Sequence, residues 1–266
     1  MIRAVAAVLV AAAALAPEHQ LVQRDVYLMG TRAQLATYAP DRPAGLATLA
    51  SALAALESTD RQLSTWQQNS AISQLNRAPV GEPWQADASL CALFADLYEW
   101  RDKTGGAFDP SVGALTAAWS IHERGRIPAD VELDDARGRT GLHLLHFDRE
   151  RCTLTRRAQV IIDVGAFGKG EALDRAARAL SGSPWMIDLG GQVAVGGLPP
   201  EGKPWVVALA HPAERARAIM QVPLSAGSLS TSAGSERDLR VGETRIGHIL
   251  DPRTGTPAAF TGSVVV

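Results

Sequence analysis

Cysteine is scarce, aromatic residues make up only 5% of the chain, and neither charge sign dominates its 266 residues. The two cysteines, Cys91 and Cys152, have neither CxxC spacing nor a nearby histidine pair, so they do not form a zinc site between them. A single disulfide is compatible with them. Lysine and arginine total 26 against 28 acidic residues, and no long basic run is present to follow a phosphate backbone, so nucleic acid is not an expected partner. There is no nucleophile elbow, no HExxH pair and no regularly spaced ligand cluster, which leaves hydrolase and zinc-enzyme readings unsupported. Internal repeats and linker-like segments are also missing. What is present is an ordinary globular balance, 46% apolar and 20% charged, which excludes wholesale disorder.

The longest apolar run, Ala4 to Ala16, follows Arg3 and is shorter than the roughly 20 residues of a membrane span. With small residues at Ala12-Ala13-Ala14 and Ala14-Leu15-Ala16 it reads as a secretory leader over residues 1–16, and export would permit a disulfide.

Beyond the leader, apolar and polar residues alternate from Val22 to Tyr38 around Met29-Gly30-Thr31, which predicts a hairpin. Leu46, Leu49, Leu53, Leu56 and Leu63 then recur at helical spacing within Ala44 to Leu63. Further helices are predicted at Ala88–Lys103, from Pro110 to Trp119, and at Lys169–Leu180. Ser120 to Gly141 reads as charged and turn-rich. Strands are expected at Leu142–Phe147, Cys152–Thr155, Val160–Val164, Trp185–Leu189, Val193–Val195 and Trp205–Ala210. Strands clustered in this way favour an α+β fold, one domain over residues 22–266, rather than a doubly wound sheet.

Four segments carry candidate chemistry. Asp163-Val164-Gly165-Ala166-Phe167-Gly168-Lys169-Gly170 is a glycine turn between a strand and a helix, and such a helix start suits an anion, to which Lys169 adds a full charge. It matches neither the Walker nor the Rossmann spacing, and a purely structural turn is an equal reading. In Ala107-Phe108-Asp109-Pro110 the acidic residue reads first as a helix N-cap. Leu229 to Arg237 reads as a hydroxyl-rich turn after a strand. In Gly247 to Gly255, His248 precedes a Pro and Gly turn, and histidine is the residue type whose unperturbed pKa lies nearest neutrality, so it reads as a general base or as a structural residue. Trp66 would stack on a flat ligand or fill the core.

Taken in order, these segments resemble the ApbE family of FAD:protein FMN transferases from Val26 to Val266. The matching motifs are Met29-Gly30-Thr31, Leu63-Ser64-Thr65-Trp66, Asn69 to Asn76, Gly106 to Pro110 with Trp119, Asp163 to Gly170 with Asp174, Gly190-Gly191, Thr231-Ser232 and His248 to Gly255. The resemblance implies Mg²⁺-dependent cleavage of FAD at its pyrophosphate, with FMN passing through a phosphoester to a threonine of an acceptor protein. That acceptor is expected to be a membrane or periplasmic redox protein, and the chain itself to be periplasmic or on the outer face of the inner membrane. By the same resemblance Met29, Trp66, Ala107, Phe108 and Asp109 line the flavin nucleotide site, and Asp163, Lys169 and Leu250 occupy further FAD positions. The backbone carbonyl of Ala166 falls at a Mg²⁺ position, and His248 matches the histidine that deprotonates the acceptor threonine.

The chain departs from the family pattern at Ala233-Gly234-Ser235 and Asp188-Leu189. It also stops at Val266, where the family continues into a helix bearing Asp and Thr metal ligands, so the resemblance implies a truncated record of a transferase. Two other functions fit the same residues: FAD binding without catalysis, and FAD pyrophosphate hydrolysis yielding FMN and AMP.

Overall fold

The computed structural model describes residues 19–180, 182–211, 214, 216–233, 238–258 and 263–266. The expected leader over residues 1–16 lies outside the described residues.

The alternation seen after Val22 produces strands β1 (Gln20–Leu28) and β2 (Thr31–Ala39), paired antiparallel from Gln20↔Ala39 to Leu28↔Thr31. Their two-residue turn holds Met29 at φ 52° and Gly30 at φ 70°, the double positive φ that a twisted hairpin requires. Helix α1 (Arg42–Leu63) follows; the Asp41 side chain caps it by accepting from the Ala44 N–H at 2.8 Å. Its Leu49, Leu53, Leu56 and Leu63 are all buried. Next come α2 (Ala71–Arg77), β3 (Pro83–Gln85), α3 (Ala88–Lys103), α4 (Gly113–Ala118), α5 (Asp130–Gly138), β4 (Leu145–Asp148), β5 (Thr153–Arg156) and α6 (Gly168–Ala179). The remaining strands are β6 (Trp185–Leu189), β7 (Gln192–Gly196), β8 (Trp205–Ala210), β9 (Ala218–Leu224), β10 (Ala226–Ala233), β11 (Leu239–Val241), β12 (Thr244–Ile246), β13 (Leu250–Asp251), β14 (Thr256–Pro257) and β15 (Ser263–Val265).

The main sheet runs β1-β2-β6-β7-β10-β15 and is antiparallel throughout. Helices α1 and α6 cover one face, burying Leu35, Ile187 and Leu189 against Leu49, Leu56 and Leu173. The β8–β9 ribbon packs on the other, where Trp205 and Val207 meet Ala36, Val193, Val195 and Leu229. A second core lies between α2, α3 and the small sheet β3-β5-β4, centred on Ile72, Leu90, Phe94, Leu142 and Leu154. Helices segregated on antiparallel sheets make this an α+β architecture, as expected.

Several local expectations are corrected. The third helix begins at Gly113 rather than Pro110, and Asp109 is not its cap. The start is set by close approach: a Cβ on Gly113 would stand 2.9 Å from the Ile161 carbonyl, which instead accepts the Gly113 N–H at 3.0 Å. Val160–Val164 forms one parallel bridge, Ile161 with Val112, and not a strand. Its backbone is paired by a side chain, because Asn76 accepts from the Ile162 N–H at 2.8 Å and donates to the Ile162 carbonyl at 2.9 Å. The first turn of Leu142–Phe147 is a 3-10 helix, and the strand starts at Leu145. Within the segment read as turns, Asp130–Gly138 is helical; Glu132 accepts from the Ala129 N–H at 2.9 Å, and only Ala136 is buried. Leu229 to Ala233 continues β10 instead of turning, and residues 234–237 lie outside the described residues.

Cys91 on α3 and Cys152 just before β5 form a disulfide across 61 residues of sequence, closing the second core covalently. Loop-closure entropy gives such a crosslink roughly 2–4 kcal/mol of stability. Replacing both cysteines by serine should therefore lower the urea midpoint by that equivalent, whereas an unchanged midpoint would show that α2, α3 and the small sheet hold without it.

Candidate functional site

One cleft of about 830 Å³ opens where the main sheet, the 163–169 turn and the 247–252 segment meet. Ala107, Phe108, Asp109, Asp163, Ala166, Lys169, His248 and Leu250 all line it, so eight of the ten residues singled out from sequence share one cavity. Such a volume is within the ordinary range for small-molecule sites.

Its floor is built by the segment that joins the second core to α6. Asp163 ends an extended stretch, and its carboxylate accepts from the Gly165 N–H at 2.8 Å, bending the chain into the 3-10 turn Val164–Ala166. Helix α6 then opens at Gly168 with Lys169 in its first turn, and Lys169 Nζ donates to the Gly190 carbonyl at 3.4 Å. Gly190 belongs to the β6–β7 turn, where φ is 59°, and a Cβ there would stand 2.4 Å from Thr31 Oγ1. Close approach thus requires glycine, and it seats the turn beside the 29–31 turn of the first hairpin.

Asp163 also pairs with His122, whose Nε2 stands 3.0 Å from Oδ2. Burial raises the Asp163 carboxyl, but hydrogen bonds from His122, the Gly165 N–H and Thr116 together outweigh it and hold the group below the usual carboxylate range. His122, Thr116 and Ile121 line the cleft yet escaped the sequence reading: His122 and Ile121 sit in the stretch taken for turns, and Thr116 lies within a helix read only for its start.

Asp109 is buried, and its carboxylate accepts from the Ser111 N–H and hydroxyl and, at 2.9 Å, from the Leu142 N–H. Arg101 Nε stands 3.6 Å away. The group therefore ties the cleft wall to the second core.

Trp66 and Met29 are the two predicted residues that do not line the cavity. Trp66 is 78% exposed and meets His122 edge-on, with ring centroids 5.9 Å apart, which puts it beside the cleft through that histidine. Met29 abuts the start of α6, its Cε 3.6 Å from where a Gly168 Cβ would be.

His248 precedes the β13–β14 hairpin, whose Gly255 carbonyl accepts from Trp119 Nε1 at 2.8 Å. Its Nδ1 stands 3.1 Å from Asp238 Oδ1, a partner that the sequence reading missed. The signal lay in Val241-Gly242-Glu243-Thr244, a glycine turn that folds β11 onto β12 and brings residue 238 back to 248. Asp251 is paired with Arg253 through side chain and backbone, which draws its carboxyl down to about 2.

Against this geometry, a sequence profile of the ApbE family matches residues 29–266. The chain belongs to the ApbE family. It is 29% identical over 243 residues to the FAD:protein FMN transferase of Klebsiella pneumoniae, covering 88% of this chain and 69% of that protein. It is 28% identical over 212 residues to the FAD:protein FMN transferase of Salmonella typhimurium, covering 76% and 61% respectively. Thus the chain spans between about three-fifths and just over two-thirds of the length of these relatives. Among solved structures, the ApbE protein of Thermotoga maritima superposes with a TM-score of 0.86 at 27% identity, covering 92% of this chain and 81% of that one. The flavin transferase ApbE from Vibrio cholerae gives a TM-score of 0.79 at 25% identity, covering 93% and 82%.

Two outcomes follow from the site carboxylates. Asp163 and Asp251 titrate lower in the folded chain than the roughly 3.9 of an unfolded aspartate, so the stability they contribute is complete above that value and is lost as pH falls through the folded values. The melting temperature should fall as pH is taken from about 4 toward 2, and less steeply in Asp251→Asn, in scanning fluorimetry across that window. Asp109→Ala removes a buried carboxylate and orphans its donors, and should cost about 3 kcal/mol in urea unfolding; a loss near zero would detach it from the wall.

Proposed function

We propose that the chain transfers FMN from FAD to a threonine hydroxyl of an acceptor protein, releasing AMP. The observation that carries this reading is the convergence of a glycine turn and helix start, a lysine, and a histidine on one cleft. FAD is the substrate, and Phe108, Leu250 and Ile249 offer apolar wall to a flat ring system. The pyrophosphate belongs at Lys169 and the first N–H groups of α6, where a full and a partial positive charge favour an anion.

His248 acts as general base toward the threonine. It takes the proton from Oγ, a phosphorus–oxygen bond forms to the flavin-side phosphate, and the bond to the AMP phosphate oxygen breaks. Lys169 offsets charge on the departing phosphate. Mg²⁺ would be held at the Ala166 carbonyl and would supply Lewis-acid neutralisation of the pyrophosphate. Exposed Ala166 suits a backbone donor, and among the described residues no three His, Cys, Asp or Glu side chains gather to cage a metal ion. Export to an oxidising compartment is part of the proposal, supported by the Cys91–Cys152 disulfide and by the apolar run Ala4 to Ala16.

The test incubates the purified chain with FAD, Mg²⁺ and a threonine-bearing acceptor domain, and reads in-gel flavin fluorescence together with AMP release. Transfer should drop about 10²- to 10⁴-fold in His248→Ala with FAD affinity retained. Binding without AMP release would favour a flavin-binding role, and AMP without labelled acceptor a hydrolase.

A further inference from the structure

Asp238 stands directly behind His248 and makes three contacts that together fix it. Its Oδ1 lies 3.1 Å from His248 Nδ1 and accepts the His248 backbone N–H at 3.3 Å, while Oδ2 accepts from Arg245 Nε at 2.7 Å. Both side chains are largely shielded, 13% exposed for Asp238 and 22% for His248, so water competes weakly for the contact. His248 lines the cleft, whereas Asp238 does not.

A neutral imidazole carries one N–H donor and one acceptor nitrogen, and a carboxylate can only accept. With Arg245 holding the other oxygen, Asp238 remains a carboxylate, and Nδ1 must then be the donor. Nε2 is left with its lone pair. We infer that Asp238 is the positioning residue of the proposed transfer, fixing His248 in the Nδ1–H tautomer so that Nε2 receives the threonine proton, and offsetting the charge of the imidazolium that forms. The inference rests on the reading of His248 as the base.

The contact is built by the β11–β12 hairpin. Leu239 pairs with Ile246 and Val241 with Thr244, so residue 238 is delivered next to residues 247 and 248 by the register itself. Ile246 is buried and anchors this hairpin, which keeps the carboxylate from drifting off the ring.

Nitrogen-15 NMR of the histidine side chains reads the tautomer directly, with His248→Ala assigning the resonance among the six histidines. The proton should sit on Nδ1 in the unaltered chain at neutral pH, and Asp238→Asn should shift the population toward Nε2–H, because an amide can donate to Nδ1. In the AMP-release assay with FAD and a threonine-bearing acceptor domain, Asp238→Asn should lower kcat about 10²-fold or more with KM for FAD unchanged. Asp238→Glu should recover part of it. An Nε2–H tautomer in the unaltered chain would overturn the inference, and that reading does not depend on any Asp238 variant folding. Full kcat in Asp238→Asn alongside a dead His248→Ala would overturn it too, whereas an active His248→Ala would instead overturn the reading of His248 as base.

Discussion

The cleft depends on how one extended segment, residues 160 to 163, is clasped on its way from the second core to the turn that opens α6. Among the described residues it has only the single bridge of Ile161 with Val112. Instead Asn76 pairs both backbone groups of Ile162, the Ile161 carbonyl takes the Gly113 N–H, and the Asp163 N–H reaches the Pro110 carbonyl at 2.7 Å. Helix α2 and the stretch from Pro110 to Gly113 that opens α4 therefore position Asp163, and its carboxylate turns the chain into the helix that carries Lys169. Backbone groups away from water must find partners, so an arrangement with a side-chain amide in the role of a strand is as binding a constraint as a ladder. The motif Asn69 to Asn76, distant from the cleft in sequence, acts on it through this clasp.

Around that segment the two cores divide the work. The α1–sheet–ribbon layers hold β6, β7 and β10, whose ends and turn contribute Gly190, Gln192 and Ser230 to the cavity. The second core, closed by the disulfide, holds Phe108 and Asp109. The cleft lies between a wall fixed by one core and a wall fixed by the other, and that is how residues scattered from 107 to 250 come to share one volume.

Much of this was legible in the sequence where periodicity is strong. Helix α3 runs over Ala88–Lys103 as expected, α1 carries the leucine spacing read in Ala44 to Leu63, and the Val22 alternation gives the β1–β2 hairpin around Met29-Gly30. Helix α5 was hidden because it buries only Ala136 and leaves Val131 exposed, so it has no apolar stripe to detect. The strand expected at Val160–Val164 was misread for the opposite reason: its apolar residues are core, but its pairing comes from Asn76, which no local pattern announces. Asp238 and His122 were missed since each acquires its role only through tertiary contact, one across a hairpin and one across 41 residues to Asp163. The family motifs pointed to His248 and Lys169, and left Asp238 and His122 unnamed.

In the proposed reaction this cleft moves the flavin half of FAD onto a protein hydroxyl. Intact-mass spectrometry of a threonine-bearing acceptor domain, after incubation with the chain, FAD and Mg²⁺, tests it most directly. Transfer adds the mass of one FMN less one water, mapped to the threonine. An acceptor of unchanged mass, with FAD bound to the chain, would contradict it.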